Sequence, residues 1–115
     1  MTTKFLIICT GNNDRSPTAA AVCRQFPNLE VRSAGTSLYA ITPLTAEMVS
    51  AADVLIVMER GHVAHIEEHY PEAAAAKAVY CLEIPDEFSC MDPTLMRMLQ
   101  ERLQPIIEKH CLRPS

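Results

Sequence analysis

The amino-acid sequence predicts an α/β domain built on a parallel β-sheet, and three observations support this fold class. Residues 5–8 and 53–58 are short, almost continuous apolar runs, which are typical of strands covered on both faces. Segments with helical character lie between the predicted strands. Because strands that alternate with helices are joined by right-handed crossovers, this order of segments predicts a parallel sheet.

Most of the predicted elements have a local signal. Pro17 suits the first position of a helix that Ser16 can cap, and Asp92-Pro93 repeats this pair at the last helix. The alanine-rich segment 71–77 is either a short helix or a connector, and Pro105 should kink the last helix. In chain order, the predicted elements are strand 5–8, loop 10–15, a helix from Pro17 to about Gln25, strand 29–33, helix 46–51 capped by Thr45, strand 53–58, helix 60–68, strand 79–82 and a helix from Pro93.

Length, composition and charge limit the function. The chain has 115 residues, which fits one domain over residues 1–115. Hydrophobic residues make up 49%, which excludes intrinsic disorder, and no apolar run approaches the roughly 20 residues of a membrane-spanning helix. The net charge of −4 predicts neither nucleic acid nor an anionic membrane as a partner. Five cysteines, an odd number, without a signal peptide favour reduced thiols in the cytoplasm.

The segment Cys-Thr-Gly-Asn-Asn-Asp-Arg-Ser-Pro at residues 9–17, which we call the signature loop, carries the chemistry. It lies between a buried strand and the start of a helix, so its backbone N–H groups and the helix N-terminus would converge on an oxyanion. Arg15 can add a bidentate fork for two oxygens of that anion. The same field would favour the thiolate form of Cys9, and Ser16 could donate a hydrogen bond to it.

A thiolate that faces a bound phosphate is an in-line nucleophile, and its product would be a cysteinyl-phosphate that water must release. Gly11 permits close approach of the backbone to the anion, and Asn12 tolerates a left-handed conformation. The spacing Cys-x5-Arg alone is a weak pattern, but the following Ser-Pro at a strand-to-helix junction makes it specific. The alternative is that Cys9 is an ordinary buried strand residue.

In this loop the sequence resembles the low-molecular-weight protein tyrosine phosphatases, and most of all a short bacterial branch described as predicted tyrosine phosphatases. The resemblance covers nearly the whole chain. It is carried by the signature loop, by Ser33-Ala34-Gly35-Thr36, by residues 52–59, and by residues 84–88 with 91–93. It implies a single three-layer domain, in which a four-stranded parallel sheet has helices on both faces and the phosphate-binding loop follows the first strand.

The resemblance also implies roles for individual residues. Cys9 would be the nucleophile, Arg15 would bind the phosphate, and Asp86 would protonate the leaving phenolate and then activate water. Asp86 follows a predicted strand at the carboxyl edge of the sheet, where open α/β sheets bind ligands. The implied supporting residues are Thr10, Gly11, Asn12, Asn13 and Asp14 as phosphate-binding positions, Ser16 as support of the thiolate, Asn12 and Ser33 as braces of the loop, and Tyr39 and Phe88 as aromatic walls of the substrate cleft.

The implied substrates are a phosphorylated protein or a small aryl phosphate, with phosphate, sulfate and vanadate as further ligands of the site. No metal and no cofactor are expected, because Arg15 and the loop amides would neutralise the charge. Two other functions stay open. A weak or inactive module that binds an anion or a phosphoprotein is favoured by Asp14, whereas arsenate reduction is disfavoured because residues 58–70 lack the further cysteines of that branch.

The sequence departs from the family pattern at several positions. Asp14 replaces a common second cysteine and Asn13 an apolar residue, and we expect Asp14 to point outward because a carboxylate facing the anion would weaken its binding. Residues 86–88 read Asp-Glu-Phe where the family has an Asp-Pro-aromatic acid loop, and Asp92-Pro93 is better explained as a helix start. Residues 39–52 lack the histidine-containing segment that braces the loop in the family.

Histidines and cysteines outside the signature loop have two interpretations each. His62, His65 and His69 share one helical face, which we expect to be a solvated polar face away from the signature loop rather than a metal site. Cys81 and Cys90 flank the predicted acid loop, and we expect free thiols there rather than a disulfide formed under oxidation.

Overall fold

The computed structural model describes residues 2–110 of the chain, and it confirms the predicted fold class. The alanine-rich segment forms a helix, and the last helix runs through Pro105. The elements are β1 (Thr3–Cys9), α1 (Arg15–Cys23), β2 (Leu29–Gly35), α2 (Ala46–Ala51), β3 (Val54–Val57), α3 (Arg60–His69), α4 (Pro71–Ala76), β4 (Ala78–Cys81) and α5 (Pro93–His110).

The four strands form one parallel sheet in the order β2-β1-β3-β4. In the register, Ile7 of β1 lies between Ser33 of β2 and Ile56 of β3. Because the strands are parallel, the loops after β1, β2, β3 and β4 all leave the sheet at its carboxyl edge. The strand order changes direction around β1, and crevices at such a point are where open α/β sheets bind ligands.

Alternate residues of the central strands supply two separate cores, which explains their continuous apolar runs. Phe5 and Ile7 face α1 and α5, where Leu95, Leu99 and Leu103 are fully buried. The residues between them face the other layer, which is built from α2, α3 and α4. Each buried leucine side chain contributes about 1.5–3 kcal/mol of burial free energy, so these three leucines strongly stabilise the packing of α5 against the sheet.

The start of α1 differs from the prediction. The helix begins at Arg15 with Asp14 as its N-cap, and no side-chain hydrogen bond caps it. Ser16 therefore lies inside the first turn, and its hydroxyl bonds to Asn12 and Cys9 rather than capping the helix. Two other predicted caps are confirmed, since Thr45 accepts from Met48 N and Asp92 accepts from the first turn of α5.

Across residues 2–110, no helix has the length and apolar character that crossing a membrane requires.

Candidate active site

The signature loop folds back over the end of β1 and brings its first half onto the cysteine. Asn12 adopts the predicted left-handed backbone, with φ of 54°, and its side chain is buried. This turn directs the Asn12 backbone N–H at Cys9 Sγ, 3.2 Å away. An amide donor aimed at the sulfur stabilises negative charge there, as does the N-terminus of α1 a few residues later.

Cys9 itself is buried, with Ser16 Oγ 3.0 Å from its sulfur. The Ser16 hydroxyl also donates to Asn12 Oδ1 at 2.7 Å. A hydroxyl carries one proton, so it donates either to the asparagine oxygen or to a thiolate. Ser16 can therefore accept from the thiol form of Cys9 and turn its proton to the thiolate form.

Arg15 ends the loop region and is 2% exposed. Its Nη1 donates to Glu59 Oε1 at 2.5 Å and to the Ile84 carbonyl at 2.7 Å. Its Nε lies 3.8 Å from Asp86 Oδ1. One end of the guanidinium is thus fixed by two acceptors, and the N–H groups of Nε and Nη2 form the edge that suits two oxygens of an anion. The hydrogen bond from Arg15 also lowers the pKa of Glu59 and keeps it ionised.

His62 lies against the signature loop, and the prediction of a solvated face away from the loop is wrong for this residue. Only 5% of His62 is exposed, and its Nε2 lies 2.9 Å from Thr10 Oγ1. The physical reason is the helix start. Because Glu59 is the N-cap of α3, His62 is in the first turn and folds back to accept from Glu59 N at 3.0 Å. His65 and His69 lie further along the helix, with ring centroids 4.3 Å apart.

The opposite side of the signature loop is held by the segment after β2. Backbone N–H groups of Thr36, Ser37 and Ile41 donate to the carbonyls of residues 9–11 at 2.9–3.1 Å. Gly35 lies beneath this contact, where a side-chain methyl would overlap the Thr10 carbonyl oxygen and come within 2.6 Å of Ala40 Cβ and 3.0 Å of Asn12 N. A glycine at Gly35 therefore lets two loops pack directly on each other.

The remaining predicted supports of the loop make fewer contacts. Asn13 is exposed and Asp14 half-buried, and within residues 2–110 the side chains of both lack hydrogen-bond and ion-pair partners. That Asp14 points outward stays a prediction. Ser33 is half-buried in β2 beside Ile7, and among the described residues its hydroxyl bonds to no part of the signature loop.

The predicted acid and cleft residues lie on two separate segments. Asp86 is exposed on the segment after β4 and approaches Arg15, whereas Asp92 is engaged in capping α5. Phe88 is half-buried and packs against the α1–α5 core. Tyr39 is 97% exposed on the segment that holds the signature loop. The structure thus brings Cys9, Arg15 and Asp86 to one edge of the sheet, and Tyr39 and Phe88 stay proposals as cleft walls.

Glu59 was not among the predicted site residues, although a signal for it exists. A Glu-x-x-His pattern directly after a buried strand is a capping box at the carboxyl edge of the sheet.

Cys81 and Cys90 are free thiols. Among residues 2–110, no cluster of three or more His, Cys, Asp or Glu side chains is arranged to hold a metal ion.

The fold and this loop define a phosphatase of the protein-tyrosine-phosphatase class. No family model matches the chain, but curated relatives do. The chain is 31% identical to the probable low molecular weight protein-tyrosine-phosphatase EpsP of Ralstonia nicotianae, and the match covers 77% of each protein. The chain therefore belongs to the low molecular weight protein-tyrosine-phosphatase family.

Two further comparisons agree with the family. A protein-arginine-phosphatase of Geobacillus stearothermophilus is 31% identical to the chain, in a match that covers 61% of this chain and 64% of that protein. The crystal structure of the tyrosine phosphatase Wzb from Escherichia coli K30 in complex with phosphate superposes with a TM-score of 0.78 at 27% identity. That comparison covers 95% of this chain and 99% of Wzb.

Proposed function

We propose that this protein hydrolyses aryl phosphate monoesters of the phosphotyrosine type, without a metal, through a cysteinyl-phosphate intermediate. One observation carries the proposal. Cys9 and Arg15 are both buried at the two ends of one loop, and Asp86 lies 3.8 Å from the Arg15 Nε edge that is left for an anion. The phosphate held by the related Wzb supports an anion at this loop.

In the first step, the Cys9 thiolate attacks phosphorus and forms the S–P bond while the P–O bond to the leaving group breaks. Asp86 gives its proton to the leaving phenolate oxygen. In the second step, water attacks phosphorus and Asp86 takes its proton, so the S–P bond breaks and inorganic phosphate leaves. Arg15 and the loop amides neutralise the charge on the transferring oxygens in both steps.

The test is hydrolysis of 4-nitrophenyl phosphate between about pH 5 and 7, where a carboxylic acid and a thiolate can coexist, with EDTA present. Turnover by the wild type that disappears in Cys9→Ser is the expected result. A Cys9→Ser variant that keeps near-wild-type turnover would remove Cys9 as the nucleophile.

Asp86→Asn should slow the hydrolysis of phenyl phosphate about 100-fold or more and that of 4-nitrophenyl phosphate much less, because the better leaving group needs less protonation.

The rival function is a module that binds an anion or a phosphorylated protein without turnover, and the negative charge of Asp14, which precedes Arg15 in the sequence, favours it. Vanadate or phosphate binding by a wild type that hydrolyses nothing would establish that function. Because one relative is a protein-arginine-phosphatase, the assay also includes a phosphoarginine peptide beside a phosphotyrosine peptide. Faster turnover of the phosphoarginine peptide would move the substrate class from O–P to N–P bonds.

We place the protein in the cytoplasm, with a phosphorylated protein or a small aryl phosphate as its partner.

A further inference from the structure

The N-cap and first turn of α3 contact the signature loop at two positions. Glu59 accepts from Arg15 Nη1 at 2.5 Å, and three residues later His62 Nε2 lies 2.9 Å from the Thr10 hydroxyl. Thr10 directly follows Cys9, and Arg15 is the anion-binding side chain at the other end. One helical turn therefore bonds to the residue beside the nucleophile and to the anion-binding side chain.

The two side chains of this turn depend on each other. The Glu59 carboxylate accepts the backbone N–H of His62, and the backbone N–H of Glu59 donates to His62 Nδ1 at 3.0 Å. Since Nδ1 accepts, the ring proton of neutral His62 is on Nε2, which donates to Thr10 Oγ1. Burial first, and then the charge of Arg15, lower the pKa of His62 and favour this neutral form.

We propose that Glu59 and His62 are positioning residues of the phosphatase reaction, which hold Arg15 and Thr10 in the geometry that binds the transferring phosphoryl group. This inference rests on the proposed function. Glu59 occupies Nη1 and so aims the Nε–Nη2 edge of Arg15 at the anion. His62 fixes the residue next to the nucleophile, and small displacements of such groups slow phosphoryl transfer.

A cap that only stabilised the start of α3 would make no contacts to the signature loop. The reciprocal box between Glu59 and His62 satisfies the helix end by itself, so it needs neither Thr10 nor Arg15. Both side chains nevertheless use a second bonding position on the signature loop. The contacts to the loop are therefore additional to the cap, and a change at Thr10 removes the bond to His62 while it leaves the cap intact.

The first experiment separates these contacts through Thr10, which is exposed and whose substitution leaves the core intact. We expect Thr10→Val and His62→Phe each to lower kcat for 4-nitrophenyl phosphate about 10-fold, with KM changing less. Because both variants break the same bond, the double variant should be no slower than the slower single variant. Thr10→Ser keeps the hydroxyl and should restore most of kcat, and His69→Phe on the same helix is the matched control.

The second experiment tests the bond to Arg15. Glu59→Ala should lower kcat about 10-fold, whereas Glu59→Gln keeps an oxygen that accepts from Nη1 and should recover most of it. Glu67→Ala, an exposed carboxylate on α3, is the control and should behave as the wild type. Thermal unfolding of every variant shows whether a lost rate follows lost stability.

The outcomes are distinct. Thr10→Val at the wild-type rate, additive losses in the double variant, or rate losses that only track thermal stability would each overturn the inference. A wild type without turnover would instead overturn the proposed function, and inorganic phosphate binding by calorimetry would then decide. In that case, weaker phosphate binding in Thr10→Val and Glu59→Ala than in their controls supports the positioning role, and unchanged binding removes it.

Discussion

The signature loop is held from two sides by bonds of different kinds. On the side of β2, backbone N–H groups of residues 36–41 donate to backbone carbonyls of residues 9–11. On the side of β3, the side chains of Glu59 and His62 bond to side chains at the two ends of the loop. The first set depends on how closely two backbones approach, and the second depends on the identity and protonation of single residues.

This difference separates the effects of substitution on the two sides. Backbone bonds accept any side chain that leaves the space free, so we expect the β2 side to be sensitive chiefly to the volume of the side chain at Gly35. Side-chain bonds depend on charge and on the donor or acceptor state, so the β3 side is sensitive to chemistry and to pH.

We call the bonds from Glu59 and His62 the side-chain brace. The largest effect is expected at Arg15, because this residue bonds to the side-chain brace and would also bind the anion. Arg15→Lys should lower kcat/KM about 1,000-fold, because a point charge cannot bond to Glu59 and the Ile84 carbonyl and also present a two-pronged edge. Steady-state hydrolysis of 4-nitrophenyl phosphate measures this loss. Arg60→Lys is the matched control, since Arg60 is exposed on α3. Equal rates in the two variants would mean that the bidentate edge of Arg15 is not used.

The next effect is expected on the β2 side. Gly35→Ala should lower the free energy of unfolding by about 3 kcal/mol, because the added methyl overlaps the Thr10 carbonyl oxygen and meets the Ala40 side chain. Turnover should fall with it, since the first half of the signature loop must shift. Gly61→Ala has open space and should raise the free energy of unfolding by about 0.5–1 kcal/mol as a helix-favouring change. Urea unfolding of both variants checks this, and a Gly35→Ala protein of wild-type stability would show that the two loops separate freely.

The side-chain brace should also respond to pH. The pKa of His62 is lowered from 6.5 in the folded chain, chiefly by burial, so below pH 6.5 the unfolded chain binds a proton that the folded chain does not. The stabilisation by neutral His62 is thus complete above pH 6.5 and declines as pH falls toward its lowered pKa. The stability gap between the wild type and His62→Phe should therefore be larger in urea at about pH 7.5 than at about pH 5.5.

His65 and His110 also have lowered pKa values, but both are present in the two proteins of that comparison, so their contributions cancel. Glu59 titrates in a different range. Its pKa is lowered from 4.5 by Arg15, so its stabilisation is lost only as pH falls below 4.5. A gap that stays constant between the two pH values would show that His62 is not held neutral by the fold.

The features that the sequence predicts are those with a local signal, and the side-chain contacts between distant residues are not among them. The sheet and the signature loop could be predicted because their signals are local: two apolar runs, and a Cys-to-Arg spacing that ends in Ser-Pro. The bond between His62 and Thr10 joins residues 52 positions apart and has no local signal. The helical spacing of His62, His65 and His69 indicated one polar face, and the capping turn at Glu59 separates the first histidine from that face.

The cap of α1 shows why local rules also fail inside the site. Ser16-Pro17 is a good helix start in isolation, but the Ser16 hydroxyl is 2.7 Å from Asn12 Oδ1 and 3.0 Å from Cys9 Sγ. A buried hydroxyl bonds to the partners around it, and the cap position moves to Asp14, which makes no side-chain cap bond. The loop's own polar contacts override the helix-start signal where the nucleophile requires them.

The smallest effect is expected at Asp14, whose carboxylate belongs to neither brace. If it points outward as predicted, Asp14→Asn keeps the shape of the residue and should change the inhibition constant of inorganic phosphate by less than about 3-fold at low salt. Asn13→Asp would add a negative charge at the exposed neighbouring position and serves as the matched comparison. Phosphate binding that tightens about 10-fold or more in Asp14→Asn would place the carboxylate against the anion. The signature loop would then bind anions weakly, although the backbone bonds on the β2 side and the side-chain bonds on the β3 side both hold it in place.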